Sequence, residues 1–206
     1  VGTYTIGGTN PDYVDFSSAA TDLVACGVAG PVFFDVRPGT YAEQVTIGEI
    51  VGASATNTIT FDGGDTSAVT LTYATANDSP TVYLRGADWL PFRNMPLENT
   101  GVADDVWVVV MNNGSDHNTF DSLRVKVPVT TSTDVMGIVA SNSITFETSS
   151  GNNANYTTIQ NSTFEGGERG VSLYGNSALY NVGNSVLNCV FVDQDDDGIF
   201  LQYQDS

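Results

Sequence analysis

The sequence predicts an all-β solenoid, in which short parallel strands stack as successive coils. Short apolar-alternating runs recur at intervals of roughly 20–40 residues along most of the chain, which is the spacing of a solenoid repeat. Gly-rich corners separate the runs, as between residues 158–164 and 171–173, without the Asn-Gly or Asp-Gly pair that a two-residue hairpin turn needs. The hydrophobic fraction of 41%, with Gly, Ser, Thr and Asn crowding the gaps, favours strands joined by turns over helices.

The first 30 residues predict a cap for the solenoid. Residues 1–8 have the pattern of a short strand, and Asn10-Pro11-Asp12 then offers a helix start. Apolar residues at helical spacing predict a helix over residues 13–25, which Gly27 would end. We therefore divide the chain into an N-terminal cap, residues 1–30, and β-helix coils, residues 31–206.

Two interleaved series of strands account for the rest of the chain. The first series begins at Val32, Ile59, Val82, Val108, Ile138, Val171 and Ile199. The second series begins at Val45, Val69, Leu90, Phe120, Ile159 and Val186. The regular intervals predict about seven coils, with corner loops of variable length.

Blocks of the second series align with one another at residues 92–95, 120–123, 159–162 and 186–189. Each block is followed by an apolar residue: Leu97, Val125, Phe164 or Phe191. Equivalent residues of stacked coils lie ~4.8 Å apart. The alignment therefore predicts an interior amide ladder of Asn94, Asn161 and Asn188, interrupted by Ser122, with a structural role.

These coils resemble the repeats of right-handed parallel β-helix proteins, the pectate-lyase-like superfamily. The opening, from residues 2–8 through Gly30-Pro31-Val32, residues 36–41 and Glu43-Gln44-Val45, is similar to the start of large bacterial secreted surface proteins of this fold. Many of those proteins are exported by the type IX route. The resemblance implies that the opening strand and helix seal the first rung. It also implies an extracellular or bacterial cell-surface location.

The C-terminal residues predict a truncated solenoid. Ile199-Phe200-Leu201 starts a new coil, and no second strand or cap follows before Ser206. Such a rung would expose unpaired strand edges. We expect further coils or domains of the same polypeptide, or a partner, to cover it.

The charge balance excludes some partners. The formal net charge is −18, from 24 acidic and six basic residues. Such a surface repels nucleic acid and anionic polysaccharide and attracts cations. No apolar run approaches the roughly 18 residues of a membrane helix, so we expect no membrane insertion.

Acidic residues collect at the corner between the second and the first strand series. Aligned on the flanking strands, they are Asp104, Asp105, Asp134, Glu168, Asp195, Asp196 and Asp197. Calcium could bind Glu168, Asp195, Asp196 and Asp197, because it accepts carboxylate oxygens in irregular geometry. The alternative is a solvated acidic ridge whose charge Arg169 partly offsets. No cofactor is required, and calcium is the one considered.

The same corner allows an enzymatic interpretation. Lyases and hydrolases of this fold place carboxylates on exposed coil faces, and Glu168 with Asp195 or Asp196 is the best acid–base pair available. A polyuronate lyase also needs Arg or Lys to hold its substrate's carboxylates, and only Arg169 is near. His117, the single histidine, is interpreted as a solvated loop residue.

The first strand series predicts an apolar outer surface. Trp107, Val109, Val139 and Phe200 are expected to point outward, with the indole lying flat over glycines. This surface would dock a neighbouring domain, another protein or a glycan. The alternative is that a loop, such as residues 147–155, covers it.

These features favour a non-catalytic segment of a secreted or cell-surface β-helix protein, serving as an adhesin or structural stalk. Its expected partner is a cell-surface or extracellular glycan or protein. The alternative is a carbohydrate-active enzyme of the same fold, either a polysaccharide lyase or a glycoside hydrolase. Its catalytic residues would then be Glu168, Asp195 and Asp196.

Overall fold

A computed structural model of the chain describes residues 1–74, 78–102, 105–129, 131 and 134–205. These residues form an all-β parallel solenoid of about seven turns with one short helix, which confirms the predicted fold class. No helix in the described part of the chain is long and apolar enough to cross a membrane.

Three parallel sheets run along the solenoid, and each coil adds one strand to each sheet. The first sheet contains Gly2–Ile6, Val32–Val36, Ile59–Asp62, Pro91–Arg93, Thr119–Asp121, Thr158–Gln160 and Ser185–Leu187. The second sheet contains Gly39–Ala42, Val69–Tyr73, Pro96–Asn99, Arg124–Lys126, Thr163–Glu165 and Val190–Val192. The third sheet contains Val45–Gly48, Val82–Arg85, Val106–Asn112, Val135–Ala140, Arg169–Tyr174 and Ile199–Gln202. A short pair, Asn181–Val182 and Gln204–Asp205, lies beside the last coils.

The core is built from columns of equivalent inward side chains. In the first sheet, the rings of Phe34, Phe61, Phe92 and Phe120 stack with successive centroid distances of 4.8, 4.9 and 6.0 Å. All four are buried. Burying each phenylalanine contributes roughly 1.5–3 kcal/mol, and each stacked pair adds about 0.5–1.5 kcal/mol. Strand register is therefore fixed by side-chain packing as well as by backbone hydrogen bonds.

The helix closes the N-terminal end of this core. It spans Phe16–Cys26 and buries Phe16, Ala19, Ala20 and Leu23. It begins later than predicted, because Tyr13 pairs with Ile6 as extended backbone and Asp15 serves as the N-cap. Glu43 accepts hydrogen bonds from the first free backbone N–H groups, at 2.9 Å from Phe16 N and 2.9 Å from Ser17 N. Gly27 ends the helix at a φ of 65°, as predicted.

The two predicted strand series do not correspond to two sheets. In the first series, Val32 and Ile59 begin strands of the first sheet, but Val82 and the members that follow it lie in the third sheet. The second series likewise begins in the third sheet with Val45, passes through the second with Val69, and then stays in the first. The strand Ile199–Gln202 is therefore the third strand of its coil and does not start a new one. All three strand types are short and apolar-alternating, so periodicity alone cannot tell the sheets apart.

The predicted asparagine ladder lies outside the core. Asn94, Ser122, Asn161 and Asn188 are equivalent positions, but they form the corner between the first and second sheets at φ values of 51–56°. Asn161 and Asn188 are exposed. Asn161 Nδ2 donates to Asp121 Oδ1 at 2.8 Å, and Asn188 Nδ2 to Asn161 Oδ1 at 3.4 Å. The interior assignment was wrong because these residues are selected for left-handed backbone, which asparagine tolerates well.

A glycine column interrupts the inward–outward alternation of the third sheet. Val108 and Val109 are consecutive, yet both pack in the main core. Gly137, Gly170 and Gly198 follow in register with Val108 on the later coils. A Cβ at Gly170 would lie 2.5 Å from Phe191 Cδ1, so the glycines make room for the rings of the second sheet. Strict alternation therefore fails at this column.

A second column occupies the corner between the third and first sheets. The rings of Trp89, His117 and Tyr156 stack nearly parallel, with centroid distances of 3.9 and 4.7 Å. All three residues have positive φ, at 61°, 57° and 52°. Gly183 occupies the next position, and a Cβ there would lie 2.4 Å from Tyr156 Cδ1. His117 is thus part of a structural stack and not a solitary solvated side chain.

Candidate functional site

The candidate site forms where two successive coils enter the third sheet. Glu168 and Arg169 lead into the strand Arg169–Tyr174, and Asp195 to Asp197 precede the strand Ile199–Gln202 on the next coil. Backbone hydrogen bonds hold the two segments together, from Asp195 N to Gly167 O at 2.9 Å and from Asp196 N to Glu168 O at 3.1 Å. The parallel stacking brings acidic residues from separate coils to one edge.

Arg169 lies at the centre of this edge and contacts four carboxylates. Its Nη1 is 2.5 Å from Glu147 Oε2, and its Nη2 is 2.7 Å from Asp196 Oδ2 and 3.5 Å from Glu168 Oε1. Its Nε is 3.5 Å from Asp197 Oδ2. We call these five residues the arginine cluster. Burial alone would lower the pKa of Arg169, but the carboxylates of Glu147 and Glu168 outweigh it, so the pKa is raised and the guanidinium stays charged.

Glu147 reaches the arginine cluster from the connection between the strands Val135–Ala140 and Thr158–Gln160. Besides its contact with Arg169, its Oε1 accepts a hydrogen bond from Ser172 Oγ. The side chains of Glu147 and Arg169 are 11% and 15% exposed, so the ion pair is largely shielded from water. The position of Glu147 could not be predicted from the sequence, because an irregular connection has no periodicity that indicates its path.

Glu168 is the most perturbed acid of the arginine cluster. The residue is 7% exposed, and its Oε2 has no hydrogen-bond partner among the described residues. Burial raises the pKa of Glu168 to about 7; Arg169 opposes this shift, while Glu147, Asp134 and Asp196 reinforce it. Near neutral pH, the carboxyl group is therefore divided between its acid and its base form, as proton transfer requires.

The remaining predicted acids take other positions. Asp195 is exposed and meets the neighbouring coil through its backbone N–H. Asp134 contributes its backbone oxygen to Trp107 Nε1 at 3.1 Å, and Asp105 N binds Asp78 Oδ1 at 3.2 Å. Asp104 lies outside the described residues. Among the described residues, no group of three or more His, Cys, Asp or Glu side chains is arranged to hold a metal ion.

The predicted apolar docking surface is mostly buried. Trp107, Val109 and Val139 are at most 1% exposed, and Phe200 is half-buried with its ring 4.7 Å from Arg169 Cζ. Val109 points into the main core because of the glycine column, and Val110 takes the outward position instead. Trp107 is in register with Met136 and Arg169, one residue before the glycines on which it was expected to lie.

The loop of residues 141–157, between the strands Val135–Ala140 and Thr158–Gln160, covers the outward side chains of the third sheet. Trp107, Val110, Met136 and Val139 form a separate buried cluster, against which Ile144 of this loop packs. The loop is fixed by hydrogen bonds from Ser141 Oγ to Phe146 O at 2.7 Å and from Asn153 Nδ2 to Tyr174 O at 2.6 Å. The alternative of loop cover thus describes this face, and the prediction of a free docking surface there is wrong.

Comparison with known proteins finds similarity among solved structures. The sequence matches no protein-family model and no curated protein. The chain is similar to the pectin methylesterase PemA from Erwinia chrysanthemi, with a TM-score of 0.44 and 11% identity over 91% of this chain and 67% of that one. It is also similar to a pectin methylesterase in complex with a hexasaccharide, with a TM-score of 0.45 and 12% identity over 95% of this chain and 68% of that one.

The prediction of a non-catalytic adhesin or stalk segment finds no support in these comparisons, because both similar structures are pectin methylesterases. The structure also removes a physical basis of that prediction, because the residues expected to form a docking surface are buried.

Proposed function

We propose that this chain is a carbohydrate-active β-helix protein that hydrolyses a glycosidic bond at the arginine cluster. The observation that carries the proposal is the buried carboxyl of Glu168, which has a pKa of about 7. It lies beside the carboxylates that Arg169 holds. Two carboxyl groups with different proton affinities are what such hydrolysis uses, one as acid and one as nucleophile or base.

Glu168 would act as the general acid. In its protonated form it donates its proton to the glycosidic oxygen as the bond from that oxygen to the anomeric carbon breaks. Asp196 would be the second carboxylate, because Arg169 Nη2 holds it at 2.7 Å beside the Glu168 carboxyl of the neighbouring coil. Asp196 either attacks the anomeric carbon or takes a proton from an attacking water.

The distances favour direct attack. Asp196 Oδ2 and Glu168 Oε1 contact the same Nη2 atom at 2.7 and 3.5 Å, so these two oxygens are at most roughly 6 Å apart. Retaining glycosidases separate their carboxyl groups by about 5–5.5 Å, and inverting ones by about 6.5–9.5 Å. A polysaccharide lyase is less well supported, because Arg169 is already engaged by four carboxylates and is poorly placed to bind a uronate or abstract a proton.

Two further elements belong to this proposal. Extracellular location, with export by the type IX route, follows the resemblance of the opening residues. Calcium at Glu168, Asp195, Asp196 and Asp197 stays a prediction. It would raise the melting temperature in calcium relative to chelator, and the double variant Asp195→Asn, Asp196→Asn would abolish the response.

A panel of neutral, anionic and amino-sugar polysaccharides, with and without calcium, tests the activity. We expect new reducing ends from at least one of them, and a loss of roughly 10²–10⁴-fold in Glu168→Gln, because one proton-transfer group is removed. Glu165→Gln is the control, since Glu165 pairs with Arg124 at 2.7 Å on the second sheet. No release from any polysaccharide, or equal rates in the parent and Glu168→Gln, would contradict the proposal.

A further inference from the structure

The arginine cluster holds more negative charge than one guanidinium can neutralise. Four carboxylates contact Arg169, and Asp134 adds to the negative field at Glu168. The other arginines are engaged elsewhere, with acids or with the Tyr83 ring: Arg37, Arg85, Arg93 and Arg124. Lys126 is exposed on the second sheet. An anion approaching this edge is repelled and a cation attracted, with little competing positive charge on the protein.

One side of the arginine cluster is open to solvent. The side chains of Asp196 and Asp197 are 53% and 49% exposed, whereas that of Glu168 is 10% exposed. Phe200 is half-buried beside them. A ligand group that enters here meets two accessible carboxylates first and the buried carboxyl of Glu168 behind them.

The unpaired oxygen of Glu168 is the second observation that points to a ligand. A buried carboxylate oxygen normally has a hydrogen-bond donor, because desolvation without one is costly. Glu168 Oε2 has none among the described residues, although its Oε1 lies 3.5 Å from Arg169 Nη2. The edge therefore holds more hydrogen-bond acceptors than donors, and Glu168 Oε2 is an acceptor left unmatched when this carboxyl is ionised.

We propose that the saccharide bound at the arginine cluster carries protonated amines, as in a polymer of amino sugars with free amino groups. An ammonium group supplies three donors, one positive charge and no acceptor, which complements the exposed carboxylates of Asp196 and Asp197. A uronate would add a carboxylate to an edge already in excess of them, and an N-acetylated sugar would supply no charge. This inference rests on the proposed function, since it names the substrate class of the same site.

Binding of three hexasaccharides of equal length tests the inference by titration calorimetry at pH about 6 and low ionic strength. The probes are a glucosamine oligomer with free amines, its N-acetylated counterpart and a galacturonate oligomer. We expect the free-amine oligomer to bind at least about tenfold more tightly than the other two, and salt to weaken it. Equal or tighter binding of either other oligomer would overturn the inference.

Two matched double variants locate the binding. Asp196→Asn with Asp197→Asn should weaken binding of the free-amine oligomer by about tenfold or more, because charged hydrogen bonds are lost. Asp193→Asn with Glu49→Gln removes the same charge from exposed residues outside the arginine cluster, and should change the affinity by less than about threefold. Equal losses in both variants would show attraction by general surface charge, which contradicts a site at the arginine cluster.

Glu168→Gln separates this inference from the proposed function. The variant should still bind the free-amine oligomer through Asp196 and Asp197 while losing hydrolysis. Binding without hydrolysis in the parent would support the substrate class and overturn the hydrolase proposal. Hydrolysis of a neutral or anionic glycan, with no preference for free amines, would support the hydrolase proposal and overturn the substrate class.

Discussion

At the scale of single residues, Glu168 is held between two protonation states. Its Oε1 contacts a guanidinium, which favours the ionised form, and its Oε2 is buried without a donor, which favours the acid. Burial prevails, and the pKa rises to about 7. Because the unfolded chain releases this proton near 4.5, the native state binds more protons between these values, and its stability falls as the pH rises through this window.

Replacing Glu168 with glutamine should remove that pH dependence. As the pH rises from 5 to 8, we expect the free energy of unfolding of Glu168→Gln to increase relative to that of the parent. Thermal melts should show a relative increase on the order of 1 kcal/mol after allowance for solvent screening. Glu165→Gln should instead differ from the parent by a constant amount over this range, because the hydrogen bond from Arg124 lowers the pKa of Glu165 and its contribution is lost only below about pH 4.5. A difference between Glu168→Gln and the parent that stays constant with pH would contradict the assigned ionisation.

At the scale of elements, the glycine column determines how the third sheet fits the core. Gly170→Ala should cost roughly 1–3 kcal/mol, because the new Cβ would lie 2.5 Å from Phe191 Cδ1 and 2.9 Å from Gly198 O. Gly48→Ala on the same sheet is the control, since its Cβ would have its nearest atom, Val24 Cγ1, at 4.0 Å. Urea unfolding measures both. Equal costs would mean that backbone conformation, and not packing, selects glycine here.

The first and third sheets show how far the strands could be predicted from the sequence. The alignment of Phe92 with Phe120, Ile159 and Val186 is confirmed by the strand pairing, because stacked apolar positions repeat from coil to coil. The orientation of Val109 was wrong, because two consecutive residues face inward where strict alternation was assumed. Register thus follows from apolar repeats, whereas facing depends on local breaks in the pleat that the apolar pattern does not reveal.

The candidate site was predictable only where it lies on the repeat. Glu168 and Asp196 are neighbours because equivalent corners of successive coils stack, and the repeat encodes that stacking. Glu147 comes from an irregular connection, and the burial of Glu168 depends on how that connection folds over the third sheet. Sequence periodicity therefore located the acids, but neither the covering loop nor the perturbed pKa.

At the scale of the whole molecule, stability should decline towards the last rung. The strands Ser185–Leu187, Val190–Val192 and Ile199–Gln202 have a neighbouring strand on one side only, apart from the short pair beside them. Apolar side chains there remain accessible, with Val190 55% and Leu201 54% exposed. In a solenoid, each coil is stabilised mainly by its immediate neighbours.

Hydrogen exchange measures this gradient. We expect amides of Ile199–Gln202 to open at a free energy at least ~2 kcal/mol below that of Val106–Asn112, whose residues are all buried. Repeating the exchange at two protein concentrations controls for self-association at the exposed rung. Uniform protection in a monomer would contradict the expected gradient.

The column of Trp89, His117 and Tyr156 shows that this corner accepts different aromatic residues on successive coils. A ring of any of these kinds stacks on the ring of the neighbouring coil, and Gly183 serves with no ring at all. The corner therefore requires a flat ring or open space at each coil, and not one particular residue.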